Sequence, residues 1–189
     1  MRLLVIVLLL ICNGAAVATA NVFDERRPIC LQCHGDHGVS NTPDVPSLGG
    51  VPELYALLQL VAFREGNRDV PIMNAMTKGM TDDDLRAAAA FVAKQPRPPA
   101  PSEPGDPARM ARGSALVEAN RCGFCHGPKF LGGEQMPPLA NQREDYLLKS
   151  LRAYKSQQRV GERAMMAEVL YALKDADFID LAYFLAHVR

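Results

Sequence analysis

The chain has 189 residues, 21 of them basic and 21 acidic, for a formal net charge of zero at pH 7. No stretch is basic enough to follow a nucleic-acid backbone, and beyond residue 20 no apolar run approaches the roughly 20 residues that a bilayer span needs. Tryptophan is absent and aromatics make up 6% of the chain, so small cores built from it lack large apolar side chains unless another group fills them.

Residues 1–20, MRLLVIVLLLICNGAAVATA, combine a basic start, an unbroken apolar run from Leu3 to Ile11 and a small-residue end at Ala18, Thr19 and Ala20. That layout predicts a secretory signal peptide cleaved before Asn21. The run is too short for a membrane anchor. Cys12 follows Ile11, where a lipoprotein signal wants a small residue, so it is assigned to the discarded peptide. The mature chain keeps four cysteines, all within CLQCH at 30–34 and CGFCH at 122–126.

After the short segment NVFDERRPI and the first motif, a loop rich in Gly, Ser, Asn and Pro runs to Pro46. Leu54, Leu57, Leu58, Val61 and Ala62 recur at three-and-four spacing and predict a helix. Thr81, with Asp84 three residues on, predicts an N-cap and an acidic first turn for a helix through Lys94. Residues 96–107, PRPPAPSEPGDP, hold six prolines and predict an extended, semi-stiff linker. Beyond it, PARMARGSALVEAN predicts a helix before the second motif. Leu147, Leu148, Leu151 and Tyr154 predict another, and Asp175 opens the last. No strand-like alternation occurs.

The order of features repeats. Leu48 to Tyr55 spans seven positions, as does Leu139 to Tyr146; His34 to Met73 spans 39 and His126 to Met166 spans 40. The halves are copies of one unit. The expected fold is all-α, two tandem small helical domains over 21–95 and 108–189, joined by the linker at 96–107.

C-x-x-C-H is the attachment sequence of c-type haem. Two thiols three positions apart on a helical turn each form a thioether to one haem vinyl group, and the next residue supplies its imidazole to the iron. Cys30 and Cys33 with His34, and Cys122 and Cys125 with His126, therefore predict two covalent haem c groups. A zinc ribbon keeps its cysteine pairs roughly 15 to 20 residues apart, whereas Cys33 and Cys122 lie in separate repeats. A thiol-redox motif sits on a βαβ pattern that this chain lacks. The haems also supply the bulk missing from the cores.

The opposite face of each iron decides between carrier, gas binder and catalyst. Met76, Met80 and Met165 stand near the candidates, but only Met73 has a methionine counterpart in the repeat, at Met166. Those two are the expected sixth ligands. Pro46 and Pro137 are placed to hold a loop carbonyl against the proximal imidazole N–H. His37, in a polar loop, and His187, near the C-terminus, are read as surface histidines rather than bis-histidine ligands.

These residues resemble the two-haem cytochromes c4, built of class I cytochrome c domains. The likeness rests on CLQCHG with PSLGG, AFREGNR at 62–68, IMNAM at 72–76 and MTDDDL at 80–85. In the second half it rests on CGFCHGP, PPLANQREDYLLKSLRAY, RAMM at 163–166 and LKDADFIDLAYFL. It covers nearly the whole mature chain. It implies two cytochrome c-type helical domains packed with their haem edges facing, methionine ligands at Met73 and Met166, and a periplasmic carrier that is not itself an enzyme. Redox proteins, namely a terminal oxidase, a cytochrome complex or a dehydrogenase, are the implied partners. An electron-transfer subunit of a larger dehydrogenase is the alternative, with a two-haem oxidoreductase having one open iron beside it. In one respect the chain departs from the family: a full helix precedes only the second motif, and the shortened first face is expected to receive a partner.

Overall fold

A computed structural model describes residues 21–156, 158–159 and 164–189; the expected signal peptide lies outside them. Among these residues no helix is long and apolar enough to cross a membrane. The described residues form no strand, only a lone bridge between Gly133 and Met136.

Four helices form the first half. α1 (Val22–His34) begins at Asn21, whose side chain accepts the Asp24 N–H at 2.8 Å, and runs unbroken into the first motif. α2 (Glu53–Arg64) lies against both α3 (Pro71–Thr77) and α4 (Asp82–Ala93), and α1 lies against α4. Pro71 opens α3, where its fixed φ suits a helix start and its missing N–H costs nothing.

Among the described residues, the second half holds five α-helices. α5 (Pro107–Ala119) starts with a proline at the first position, and Asp106 accepts the Arg109 N–H at 2.8 Å. Arg121, left-handed at φ 51°, then breaks the chain, so the second motif occupies its own short helix, α6 (Cys122–His126). α9 (Asp175–Ala186) packs on both α5 and α7 (Glu144–Lys155), and α8 (Ala164–Leu170) packs on α7. The first half thus merges into one helix what the second half splits in two. Only eight residues of α1 precede Cys30, against thirteen in α5.

The cores follow the halves. Val117, Leu147, Tyr154, Leu170, Leu173, Phe178, Leu181 and Leu185 cluster in the second. In the first, Phe23, Met80, Leu85 and Ala88 form one cluster and Ala56, Ala89 and Val92 another. Phe23 ties the short α1 to α4 through Phe91, with ring centroids 5.7 Å apart.

Asp84 locks that corner electrostatically. Its Oδ2 accepts the Thr81 backbone N–H at 2.8 Å and the Thr81 hydroxyl at 2.7 Å, while Oδ1 accepts the Phe23 N–H at 3.3 Å. The side chain thus serves the N-termini of two helices at once, with only 2% of its surface exposed. These bonds, the Thr81 side chain first, outweigh burial and hold its carboxyl below the usual carboxylate range. Asp84→Ala should cost about 2 kcal/mol, roughly one from the cap and one from the orphaned Phe23 N–H. Because the folded pKa is depressed, this contribution is full above the ordinary carboxylate pKa and fades as pH falls through the folded value. Urea unfolding of both proteins should show a gap at pH 7 that narrows at pH 3; a constant gap refutes the ionic role.

The halves meet through polar contacts. Arg68 Nη2 donates to the Tyr146 hydroxyl at 3.2 Å, and Arg159 Nη2 donates to the Tyr55 hydroxyl at 3.4 Å. Each arginine lies thirteen residues after the tyrosine of its own half (68 − 55 and 159 − 146). The two repeats therefore exchange equivalent bonds across the interface.

Candidate functional site

Both motifs end on a buried imidazole, with His34 7% exposed and His126 6%. His34 donates its Nδ1–H to the Pro46 carbonyl at 2.8 Å, and His126 donates to the Pro137 carbonyl at 3.0 Å. A carbonyl oxygen can only accept, so Nδ1 carries a proton, and in the neutral ring the lone pair lies on Nε2. Burial holds the His34 imidazole below its ordinary pKa, only partly countered by the Pro46 bond. This is the neutral tautomer that a metal ligand needs.

The glycine after each histidine is a requirement of the backbone. Gly35 has φ 83° and ψ 148°, Gly127 φ 74° and ψ 173°, a region open to glycine alone. A Cβ at Gly35 would stand 2.1 Å from the Val39 carbonyl oxygen. The chain can leave the motif helix in this direction only without a side chain.

The four cysteines of the two motifs form no disulfide among the described residues; Cys30 and Cys122 are half-buried, and Cys33 and Cys125 exposed. Burial pushes the Cys30 and Cys122 thiols up. A redox-active pair works by lowering the attacking thiol's pKa, so the environment opposes that use. Each pair, one helical turn apart with the imidazole next in line, suits two thioether links and one metal bond.

The methionines separate by environment. Met73, on α3, and Met166, on α8, are half-buried, and Met166 packs against the second core. Met80 is 7% exposed and belongs to the first core, whereas Met165 is 66% exposed. Met76 is half-buried, with its carbonyl taken by Arg26 at 2.6 Å. His37 is exposed, and His187 stacks on Tyr183 with centroids 4.1 Å apart and donates Nδ1–H to the Tyr183 carbonyl.

Sequence reading did not single out the arginines between the halves. Among the described residues, neither Arg68 nor Arg159 pairs with a carboxylate, and the buried Arg68 Nε has no hydrogen-bond partner. Burial disfavours ionised Tyr146, but the Arg68 and Arg159 charges outweigh it and pull the phenol below its usual range. Two guanidiniums short of anions, with one donor unused, fit a group that brings its own carboxylates, as haem does. The equal thirteen-residue offset from each tyrosine was the available signal.

The family model for cytochrome c matches residues 110–189. A thiosulfate dehydrogenase electron acceptor from Thiomonas intermedia is 31% identical over 173 residues, covering 83% of this chain and 77% of that protein. Cytochrome c4 from Pseudomonas aeruginosa is 27% identical over 181 residues, covering 90% of this chain and 89% of that protein. Among solved structures, reduced recombinant cytochrome c4 from Pseudomonas stutzeri superposes with a TM-score of 0.78 at 26% identity, over 89% of this chain and 97% of that one.

Proposed function

The chain belongs to the cytochrome c4 family of two-haem class I cytochromes c, and from that premise we propose that it is a periplasmic shuttle with both irons closed by histidine and methionine. It carries two covalently bound haem c groups and acts in electron transfer. Its partners are redox proteins.

In this reading Cys30 and Cys33 tether the first haem, and His34 and Met73 are its iron ligands. Cys122 and Cys125 tether the second, with His126 and Met166 on the iron. Bound there, each iron supplies reversible one-electron chemistry. The protein's part is to hold His34 and His126 aimed through their Nδ1–H bonds, to shield the metal with a thioether, and to neutralise the haem carboxylates with Arg68 and Arg159. A closed iron offers a substrate no place to bind, which makes the chain a carrier rather than a catalyst. The domains of that carrier are 21–95 and 108–189, with 96–107 between them and residues 1–20 removed on export. The observation that carries the reading is the pair of buried imidazoles, each with Nδ1–H committed to a proline carbonyl.

One observation favours a narrower role. The Thiomonas relative is an electron acceptor of thiosulfate dehydrogenase, which fits delivery of electrons from a sulfur-oxidising enzyme. Purification from the native host separates the cases. A free shuttle elutes alone with both haems, and a dedicated subunit elutes with a dehydrogenase whose turnover reduces it.

A further inference from the structure

The peptide between Pro46 and Ser47 is gripped at both ends. Its carbonyl accepts the His34 Nδ1–H at 2.8 Å, and its N–H donates to Gln142 Oε1 of the second half at 2.8 Å. Gln142 Nε2 also donates to the Ser47 carbonyl at 2.8 Å, so the side-chain amide pairs with Ser47 in both directions. Ser47 is 2% exposed and Gln142 8%. Beyond them, Ser47 Oγ accepts the Ser40 N–H at 3.1 Å, and the Ser40 hydroxyl donates to the Cys33 carbonyl at 2.9 Å. Arg143 Nη1 closes the set on the Ser40 carbonyl at 3.1 Å.

The second half has no counterpart. The peptide whose carbonyl accepts from His126 joins Pro137 to Pro138, and a proline nitrogen has no N–H to give. That loop is held by its own half, through Leu139 N–H on the Phe130 carbonyl at 2.9 Å and Asn141 N–H on the Leu185 carbonyl at 2.9 Å.

We propose that Gln142 is a positioning residue for the iron of the other half, tuning the first haem alone. The proposal rests on the reading that His34 and His126 are iron ligands. A peptide group is planar, so turning it to weaken one of its two bonds weakens the other. Accepting the N–H also polarises the carbonyl and strengthens its hold on His34. A stronger bond at Nδ1–H makes the imidazole a more basic ligand, which favours ferric iron and lowers the potential. Loosening it raises the potential.

The test uses the full-length holoprotein with Gln142→Met, which keeps side-chain volume and removes both hydrogen bonds to Ser47, together with the one Oε1 accepts from the Arg143 N–H. Lys149→Ala serves as control, since it breaks only the exposed 3.6 Å pair with Asp44 across the same interface. Potentiometry should show one of the two potentials raised in Gln142→Met and neither changed in Lys149→Ala. In the reduced protein, the His34 Nδ1–H should exchange with solvent about tenfold faster, the scale of one lost hydrogen bond, with His126 unaffected. Gln142→Glu, which keeps the acceptor for the Ser47 N–H, should restore slow exchange. Equal shifts at both haems, or an unchanged His34 proton, overturn the proposal. A wild-type protein lacking two redox centres, or lacking imidazole ligation, overturns instead the reading beneath it.

Discussion

Replacing Met73 or Met166 by alanine should open one iron of two. In each single variant the ferrous protein takes up carbon monoxide at one centre, and the near-infrared sulfur-to-iron charge-transfer band falls by about half. The potential of the affected haem drops by on the order of 0.1 V or more, within the roughly 0.8 V that axial ligation spans, because a thioether favours ferrous iron and water does not. The neighbouring methionines provide the contrast. Met80 lies in the first core with Phe23 and Leu85, and Met80→Leu should cost less than about 1.5 kcal/mol while leaving both irons closed. Met165 is 66% exposed, and Met165→Leu should change neither spectrum nor stability. If both alanine variants keep the full band, Met73 and Met166 are not the ligands.

Removing one tether pair should cost the second half its order. In Cys122→Ser/Cys125→Ser the mature chain should carry one haem by intact mass. In the proposed reading the haem completes the core formed by Leu147, Tyr154, Phe178, Leu181 and Leu185, so its loss leaves that core incomplete. Deleting a large buried aromatic already costs roughly 3–5 kcal/mol, and haem is larger than any side chain. Against a total stability of roughly 5–15 kcal/mol, that loss should give the second half a separate, lower melting transition in circular dichroism. A single transition at the wild-type temperature would contradict the view that haem serves as core.

Local patterns were legible and docking was not. CLQCH and CGFCH were readable because covalent attachment dictates their spacing. The Thr81–Asp84 cap and the apolar faces at 54–63 and 147–154 were readable because helical geometry dictates theirs. α3 and α8, each seven residues long, carry too few positions for periodicity to register, so only their methionines stood out, through the repeat. The short segment before Cys30 was legible as short, but not as one helix continuous with the motif; the break at Arg121 in the other half depends on a left-handed residue that no pattern announces. Gln142, Arg68 and Arg159 stayed hidden for a different reason. Each acts on the half it does not belong to, and which residues meet across an interface is decided by how the repeats dock. The repeat did hold a partial clue, since Arg68 and Arg159 stand at one offset from Tyr55 and Tyr146. The asymmetry of Ser47 against Pro138 is also visible in the sequence, but it gains meaning only when Gln142 is seen to need an N–H.

In the proposed carrier, two tethered irons, each closed on both faces, hold one electron apiece. A spectroscopic redox titration of the wild-type protein under carbon monoxide addresses this in one experiment. Two one-electron steps per chain are expected, with a charge-transfer band from both ferric centres and a ferrous spectrum indifferent to the gas. A single step, or a carbon monoxide adduct at either iron of the unmodified protein, would contradict that reading.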